Sequence, residues 1–163
     1  MIFNKKNTYE QHDNEIGSYY KHSIEPYKTE TFLDDNIIVD VCVIGGGLTG
    51  ITSALNLAKK GYSVAICESR IIGWGASGRN GGQLGIGMRK DQPYIEKKLG
   101  FEYAKSLWKL GLESVEEALN LISLYNIECS LKQGIISAGC FKNDYQDFEN
   151  EAYHLEKYYN YKK

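Results

Sequence analysis

Between Val39 and Glu68 the chain runs Val-Asp-Val-Cys-Val-Ile, then Gly45-Gly46-Gly47-Leu48-Thr49-Gly50, then a helical pattern to Lys60. It closes on Gly61-Tyr-Ser-Val-Ala-Ile-Cys-Glu68. No other stretch constrains the fold so strongly. A β-branched apolar run leads into glycines, a helical pattern follows, and a second apolar run ends on an acid. That order predicts strand, tight turn, helix, strand: a βαβ unit of the length used around a dinucleotide.

Each residue type in the unit has a physical task. Gly45 lets the backbone turn sharply off the first strand. Gly47 leaves room for a pyrophosphate beside the backbone, and Gly50 lets the helix approach the strand. The helix N-terminus, at Leu48 and Thr49, offers unpaired N–H groups and partial positive charge to phosphates. Ala54, Leu57 and Ala58 recur at spacings of three and four, giving an apolar face for the sheet. Lys59, Lys60 and Gly61 suit a helix C-terminus. Glu68 ends the second strand, where a carboxylate accepts hydrogen bonds from ribose hydroxyls and disfavours a 2′-phosphate. Glycine-rich turns also occur for purely structural reasons. Here the strand before, the helix after and the acid at the end favour nucleotide binding.

After Glu68 comes Ser69-Arg70-Ile71-Ile72-Gly73-Trp74-Gly75-Ala76-Ser77-Gly78-Arg79-Asn80-Gly81-Gly82-Gln83, followed by Leu84-Gly85-Ile86-Gly87. Glycine at this density supports neither a stable helix nor a strand. A flexible linker would explain the glycines but not Ile71, Ile72, Trp74 and Leu84. A loop whose backbone closes on a ligand explains both. Ser77 and Asn80 supply short polar groups, Arg79 a cation, and the glycines bare N–H donors.

The totals exclude several classes. The chain has 163 residues, 42% hydrophobic and 25% charged, which describes one ordinary globular domain. A net charge of -2 gives no electrostatic case for nucleic acid or for an anionic membrane surface. The first residues are polar with no apolar run behind them, so no secretory signal is expected, and the run Ile37 to Ile44 is far too short to span a bilayer. Cys42, Cys67, Cys129 and Cys140 are widely spaced, and His12, His22 and His154 lie far from them, so no metal site is expected. Cys42 and Cys67 fall in the two predicted strands and read as small buried apolar residues. Free thiols in a cytoplasmic protein are the expectation.

Elsewhere the pattern is coarser. Residues 1–36 form a polar N-terminal arm, with a short helix in reach of Glu10 to Ile24, or Ser18-Tyr19-Tyr20 packed on the neighbouring domain. Residues 37–90 hold the βαβ unit and the glycine-rich loop. Residues 91–143 are a helical segment and a strand: Ala104, Trp108, Val115, Ala118, Ile122 and Tyr125 make one helical stripe, and Gly134-Ile-Ile-Ser-Ala-Gly139 reads as the strand. Gly100 and Gly111 are candidate breaks between helices. Residues 144–163 form a C-terminal amphipathic helix with Tyr145, Phe148, Ala152, Leu155 and Tyr159 on one face.

At this point Asp40-Val-Cys-Val-Ile-Gly-Gly-Gly-Leu-Thr-Gly50 together with Gly73-Trp-Gly-Ala-Ser-Gly-Arg-Asn-Gly-Gly-Gln83 resembles the N-terminal part of the FAD-dependent amine and amino-acid oxidases of the D-amino-acid-oxidase type. The second motif, the Ser18-Tyr19-Tyr20 arm and Cys129-Ser-Leu-Lys-Gln-Gly134 are most similar to the gamma-glutamylputrescine-oxidising branch. The resemblance runs from about residue 17 to about residue 145. It implies an α/β fold: a Rossmann-like, GR2-type FAD-binding βαβ unit, then helices and the start of a substrate domain. It implies FAD as cofactor, held by Gly45, Gly47, Leu48, Thr49 and Gly50 at the pyrophosphate, Glu68 at the ribose and Arg70 near the adenine. Ala76, Ser77, Arg79, Asn80, Gly81, Gly82 and Gln83 would pass along the chain of the cofactor towards the flavin. Some relatives attach FAD through Cys or His. The loop has neither, so non-covalent FAD is expected.

The activity implied is oxidation of an amine C–N bond to imine and aldehyde, with oxygen reoxidising the flavin. A glycine, sarcosine or D-amino-acid oxidase and a non-catalytic FAD-binding remnant are the alternatives. An NAD-binding dehydrogenase fits Glu68 but not the second glycine loop. Relatives are much longer, so the chain reads as truncated, and no catalytic residue is nominated. Two strands joined by one crossover leave a small core and an exposed edge. A second chain that completes the fold is the partner this leaves room for, beside a small amine substrate.

Overall fold

The apolar run before the glycines forms a strand and the alternation after them a helix, as the periodicities require. In the computed structural model, which describes residues 2–4, 18–23 and 31–162, the elements are β1 (Ile2–Asn4), α1 (Tyr19–Ser23), β2 (Thr31–Phe32), β3 (Val41–Ile44), α2 (Leu48–Lys59), β4 (Val64–Glu68), α3 (Gln92–Leu99), α4 (Phe101–Leu124) and α5 (Lys142–Tyr159). A single 3-10 turn covers Ala76–Gly78. The chain divides into two compact units, Met1–Gly82 and Gln83–Lys163. Most of the helix expected between Glu10 and Ile24 lies outside the described residues. Within it, Tyr19–Ser23 is helical.

The first unit is built on a parallel sheet in the order β2-β1-β4-β3. β3 and β4 pair with Val41 beside Val64 and Ile44 beside Cys67. On the other side of β4, Ile2 pairs with Ile66 and Asn4 with Glu68. The expected two-strand sheet is therefore widened by short strands from the region read as an arm, and β4 becomes an inner strand. α2 packs on one face, where Ala54 and Ile66 are buried. The other face is exposed at the β3 edge, where Ile44 is 88% exposed, but buried at Ala65 on β4. Cys42, expected to be buried, is exposed as well, and Cys67 is half-buried. A parallel strand expects cover on both faces, and this unit supplies one layer of helix.

At the mouth of the β3–β4 pair a polar clasp closes the register. Asp40 Oδ2 accepts from the Ser63 N–H at 2.8 Å and from Ser63 Oγ at 2.7 Å, while the Asp40 N–H donates to Ser63 Oγ at 2.9 Å. These bonds hold the Asp40 carboxyl below its usual range.

The second unit is helical. Asp91 caps α3 by accepting from the Tyr94 N–H, with Pro93 in the first turn. Gly100, at φ +84°, separates α3 from α4. Gly111 does not break α4: it is buried, and a Cβ there would run into the Ile86 carbonyl. The stretch Gly134–Gly139, expected as a strand, is irregular, and Ile136 is 95% exposed. A strand is made by its neighbour's hydrogen bonds, and none of the described residues pairs with this one.

α5 is held to α3 and α4 by one small network. Tyr159 donates to Glu96 Oε1 at 2.5 Å, His154 Nε2 lies 2.8 Å from the same oxygen, and Gln92 Nε2 reaches both Tyr159 Oη and the Ala104 carbonyl. Trp108 packs against Tyr159 and Tyr161 at ring distances of 5.3 and 5.1 Å. Burial, and then the bond to Glu96, push the Tyr159 hydroxyl up to about 12 from 10.0. A tyrosine whose folded value is raised contributes stability that is complete below the unfolded value and is lost as pH rises through the folded one. The second unit should therefore weaken between about pH 10 and 12. Tyr159→Phe should cost about 1–2 kcal/mol at neutral pH and remove this share of the alkaline loss. Urea midpoints read by helical circular dichroism across that range check both.

Candidate functional site

The two glycine motifs meet in the first unit. β3 ends at Ile44 and the chain turns at Gly45, whose φ of +104° glycine adopts without strain. The Gly45 N–H still donates to the Cys67 carbonyl at 2.8 Å, so the turn starts from the sheet itself. α2 then begins at Leu48 with Gly47 as its cap residue. Gly47 has no side chain to offer, so first-turn N–H groups are left for other partners, an anion among them. Gly50 sits so close to the turn that a Cβ would collide with the Gly45 carbonyl, and Val43 Cγ1 would lie 3.3 Å away. That is the close packing expected of the third glycine.

The second loop folds back over this helix end. The Gly73 N–H donates to the Gly46 carbonyl at 3.0 Å. Ser77, in the 3-10 turn, accepts from the Leu48 N–H at 3.0 Å, and its Oγ stands 2.9 Å from where a Gly47 Cβ would be. Asn80 shapes the next turn: Nδ2 donates to the Ser77 carbonyl at 2.9 Å and Oδ1 accepts from the Gly82 N–H at 2.8 Å. Ala76 accepts from the Arg79 N–H at 3.2 Å. Gly82 has φ +69°, and the Tyr20 hydroxyl of α1 occupies the place of its missing Cβ.

Glu68 joins the two motifs. Oε2 accepts from the Gly46 N–H at 2.7 Å and Oε1 from the Arg70 N–H at 2.8 Å. A carboxylate has about four acceptor positions, so capacity remains for ligand hydroxyls. Arg70 and Arg79 both lie over Trp74, their guanidinium carbons 3.4 and 4.3 Å from the ring centre. Both cations are thus ordered on one indole.

Of the expected site residues, Gly45, Gly47, Leu48, Thr49, Gly50, Glu68, Arg70, Ala76, Ser77, Arg79, Asn80, Gly81 and Gly82 all belong to the first unit, while Gln83 opens the second and is exposed. Gly46 and Gly73 were not among them, yet one bond between them ties the loops. The run of three glycines at 45–47 carried the signal for Gly46. Nothing local distinguished Gly73 from its glycine neighbours.

A strand, a glycine turn, a helix end capped by glycine and an acid at the next strand's end define a dinucleotide-binding α/β unit. Comparison with known proteins makes this particular. The family model described as FAD dependent oxidoreductase matches residues 40–161, and the chain belongs to that family. The chain is 38% identical to gamma-glutamylputrescine oxidoreductase of Escherichia coli (strain K12) over 144 residues, covering 88% of this chain and 34% of that protein. It is 41% identical over 95 residues to "Probable oxidoreductase OrdL" of Haemophilus influenzae, covering 58% of this chain and 22% of that one. The Rhizobium meliloti protein of the same name is 31% identical over 144 residues, covering 88% and 34%. The chain thus spans about a third of the length of the Escherichia coli and Rhizobium meliloti relatives. No solved structure matches.

FAD is the cofactor of this family, and the residues present fit it: a helix end with a glycine cap, a close-packed glycine turn and a carboxylate with acceptor capacity in reserve. The packing also ranks the glycines. Gly50→Ala would drive a methyl into backbone and should destabilise by about 2–3 kcal/mol or more. Gly47→Ala meets only the Ser77 hydroxyl, which can rotate, and should cost less than half of that. Ser77→Ala should cost about 1 kcal/mol through the lost cap on Leu48. Thermal denaturation of the three variants tests the order.

Proposed function

We propose that this chain supplies the FAD-binding portion of an amine-oxidising flavoprotein acting on a small amine of the gamma-glutamylputrescine kind. The observation that carries the reading is the joining of both glycine motifs through Glu68 and Ser77, in a chain 38% identical to gamma-glutamylputrescine oxidoreductase. FAD, when bound, supplies the two-electron acceptor for the carbon next to the amine nitrogen. The chain's own residues bind and orient. Gly45, Gly47, Thr49 and Gly50 present the helix end to the pyrophosphate, and Glu68 takes the ribose hydroxyls. The turn from Ala76 to Gly82, shaped by Asn80, runs along the cofactor. Gln83 continues that path in the chain.

Because the chain spans 34% of gamma-glutamylputrescine oxidoreductase, this reading assigns substrate positioning to a further polypeptide segment, in the same chain or a second one. The unpaired stretch at Gly134–Gly139 and the exposed β3 edge at Ile44 support that reading, since both expose apolar surface that a completed fold would cover. We place the enzyme in the cytoplasm, on its four free thiols. No helix among the described residues is long and apolar enough to cross a membrane.

The test is retention of flavin absorbance by the purified chain after incubation with FAD and desalting, followed by an anaerobic amine titration with the remaining segment supplied in trans. Retained flavin bleached by the amine supports the proposal. Retained flavin that no amine bleaches would leave a binding module. Glu68→Ala should weaken FAD about ten- to a hundredfold and leave FMN, which lacks the adenosine ribose, nearly unaffected. Equal losses for both would mean that Glu68 acts only by holding Gly46 and Arg70. Glu68→Gln, which keeps an acceptor for one of those N–H groups, separates the two cases further.

A further inference from the structure

Tyr20 belongs to neither glycine motif, yet its hydroxyl fills the space where Gly82 has no Cβ, and its Cζ and Cε1 lie 3.1 and 3.6 Å from that point. Gly82 is therefore restricted twice: φ +69° favours glycine, and the tyrosine excludes any side chain. The contact is prepared from the tyrosine's side as well. Tyr19 meets the Tyr20 ring edge-on at 5.5 Å, and Ser23 Oγ donates to the Tyr20 carbonyl at 3.0 Å. In sequence α1 lies between β1 and β2, which pair with each other, and β1 also pairs with β4, where Asn4 stands beside Glu68. The segment that carries Tyr20 is thus fastened on both sides to the sheet whose inner strand ends on Glu68.

A continuous brace runs from the cofactor helix to this tyrosine. The Leu48 N–H at the end of α2 donates to Ser77 Oγ at 3.0 Å, and the Ser77 carbonyl accepts from Asn80 Nδ2 at 2.9 Å. Asn80 Oδ1 then accepts from the Gly82 N–H at 2.8 Å, and Gly82 rests against Tyr20. One end of the turn is therefore fixed by α2 and the other by α1. Asn80 holds the turn from within, which shapes it but does not set its place against the sheet. We propose, on the FAD reading given above, that Tyr20 is a positioning residue for the flavin end of the cofactor path. It sets where the turn from Ala76 to Gly82 ends, and so where that backbone meets the flavin side of the ligand. Groups that bind through a loop need such a supporting contact to hold their geometry. The first motif, which takes the adenosine and the pyrophosphate, has its own support in Glu68. Tyr20 thus acts on one half of the ligand and not on the other.

The test measures binding of FAD, FMN and ADP to the full chain by calorimetry. Tyr20→Ala should weaken FAD and FMN about tenfold, a loss typical of residues in direct contact. It should leave ADP, which carries only the adenosine diphosphate half, unchanged. Tyr20→Phe, which keeps the ring, should retain most of the affinity for both flavins. Equal losses for FAD, FMN and ADP would make Tyr20 a packing residue and overturn the proposal. Undiminished flavin binding by Tyr20→Ala overturns it too. A parent chain that binds no flavin overturns the FAD reading and the role of Tyr20 together, so the parent tells the two failures apart. Should Tyr20→Ala not fold, Tyr20→Leu takes its place, with the same split expected. The contact is also checked without ligand. Gly82→Ala should lower the Tm of the parent by more than it lowers that of the Tyr20→Ala variant, where the added methyl meets no hydroxyl. Equal shifts in the two backgrounds overturn the contact and the proposal with it.

Discussion

Glu68 commits both oxygens to backbone: one to Gly46 at 2.7 Å, the other to Arg70 at 2.8 Å. Through the first it fixes the glycine turn that follows β3, and through the second it fixes the start of the loop that leaves β4. That loop must return over the end of α2 for Gly73 to reach Gly46 and Ser77 to reach Leu48. The cradle therefore depends on a charged acceptor whose bonds to N–H groups are individually stronger than neutral ones. An acid at this place serves the apoprotein as a strut before it serves any ligand as a recognition group. The two roles are compatible because a carboxylate has more acceptor positions than the two N–H groups occupy.

The second unit is organised by polar contacts to an unusual degree. Its buried residues are Ile95, Ala104, Gly111, Tyr159 and Gln92, a core of small volume. Large apolar side chains such as Leu110, Leu124 and Ile136 remain exposed. What holds α5 in place is a set of bonds converging on Glu96 and Gln92, with Trp108 and the tyrosines packed around them. Such a network is directional, so it specifies one register of α5 where a smooth apolar contact would allow several. It is also sensitive, because removing any member leaves a partner unsatisfied in a half-buried place.

What could be read from the sequence is what local chemistry determines. The β3–α2–β4 unit was legible because its turn, cap and helix face are each set by residues within a few positions, and Gly50 against the Gly45 carbonyl shows how tightly. The helices of the second unit were legible by period, and α5 by its aromatic face. The Gly134–Gly139 strand was not, because a strand exists only beside a partner, and its composition says nothing of whether one is there. Cys42 was misjudged for the same reason. Its place in an apolar strand implied burial, but β3 is the edge of the sheet, where Cys42 stays exposed while Ala65 beside it on β4 is buried. The widening of the sheet by Ile2–Asn4 and Thr31–Phe32 was equally hidden, since two or three residues carry no periodicity to read.

This division explains why the cofactor is so much more legible than the substrate. Phosphate binding at a helix end uses backbone groups, so it leaves its mark as glycines at fixed spacing within one βαβ unit. Recognition of a substrate against a cofactor uses side chains brought together from distant parts of a chain, with no spacing to preserve. Asp40, Ser63, Glu68 and Ser77 build a rigid frame for the first task from fewer than 40 residues. Nothing comparable gathers for the second among the described residues of either unit: the polar cluster of the helical unit is consumed by its own packing, with Glu96 shared between Tyr159 and His154. A chain that carries the first frame intact carries the marks of its cofactor with it, whatever the substrate.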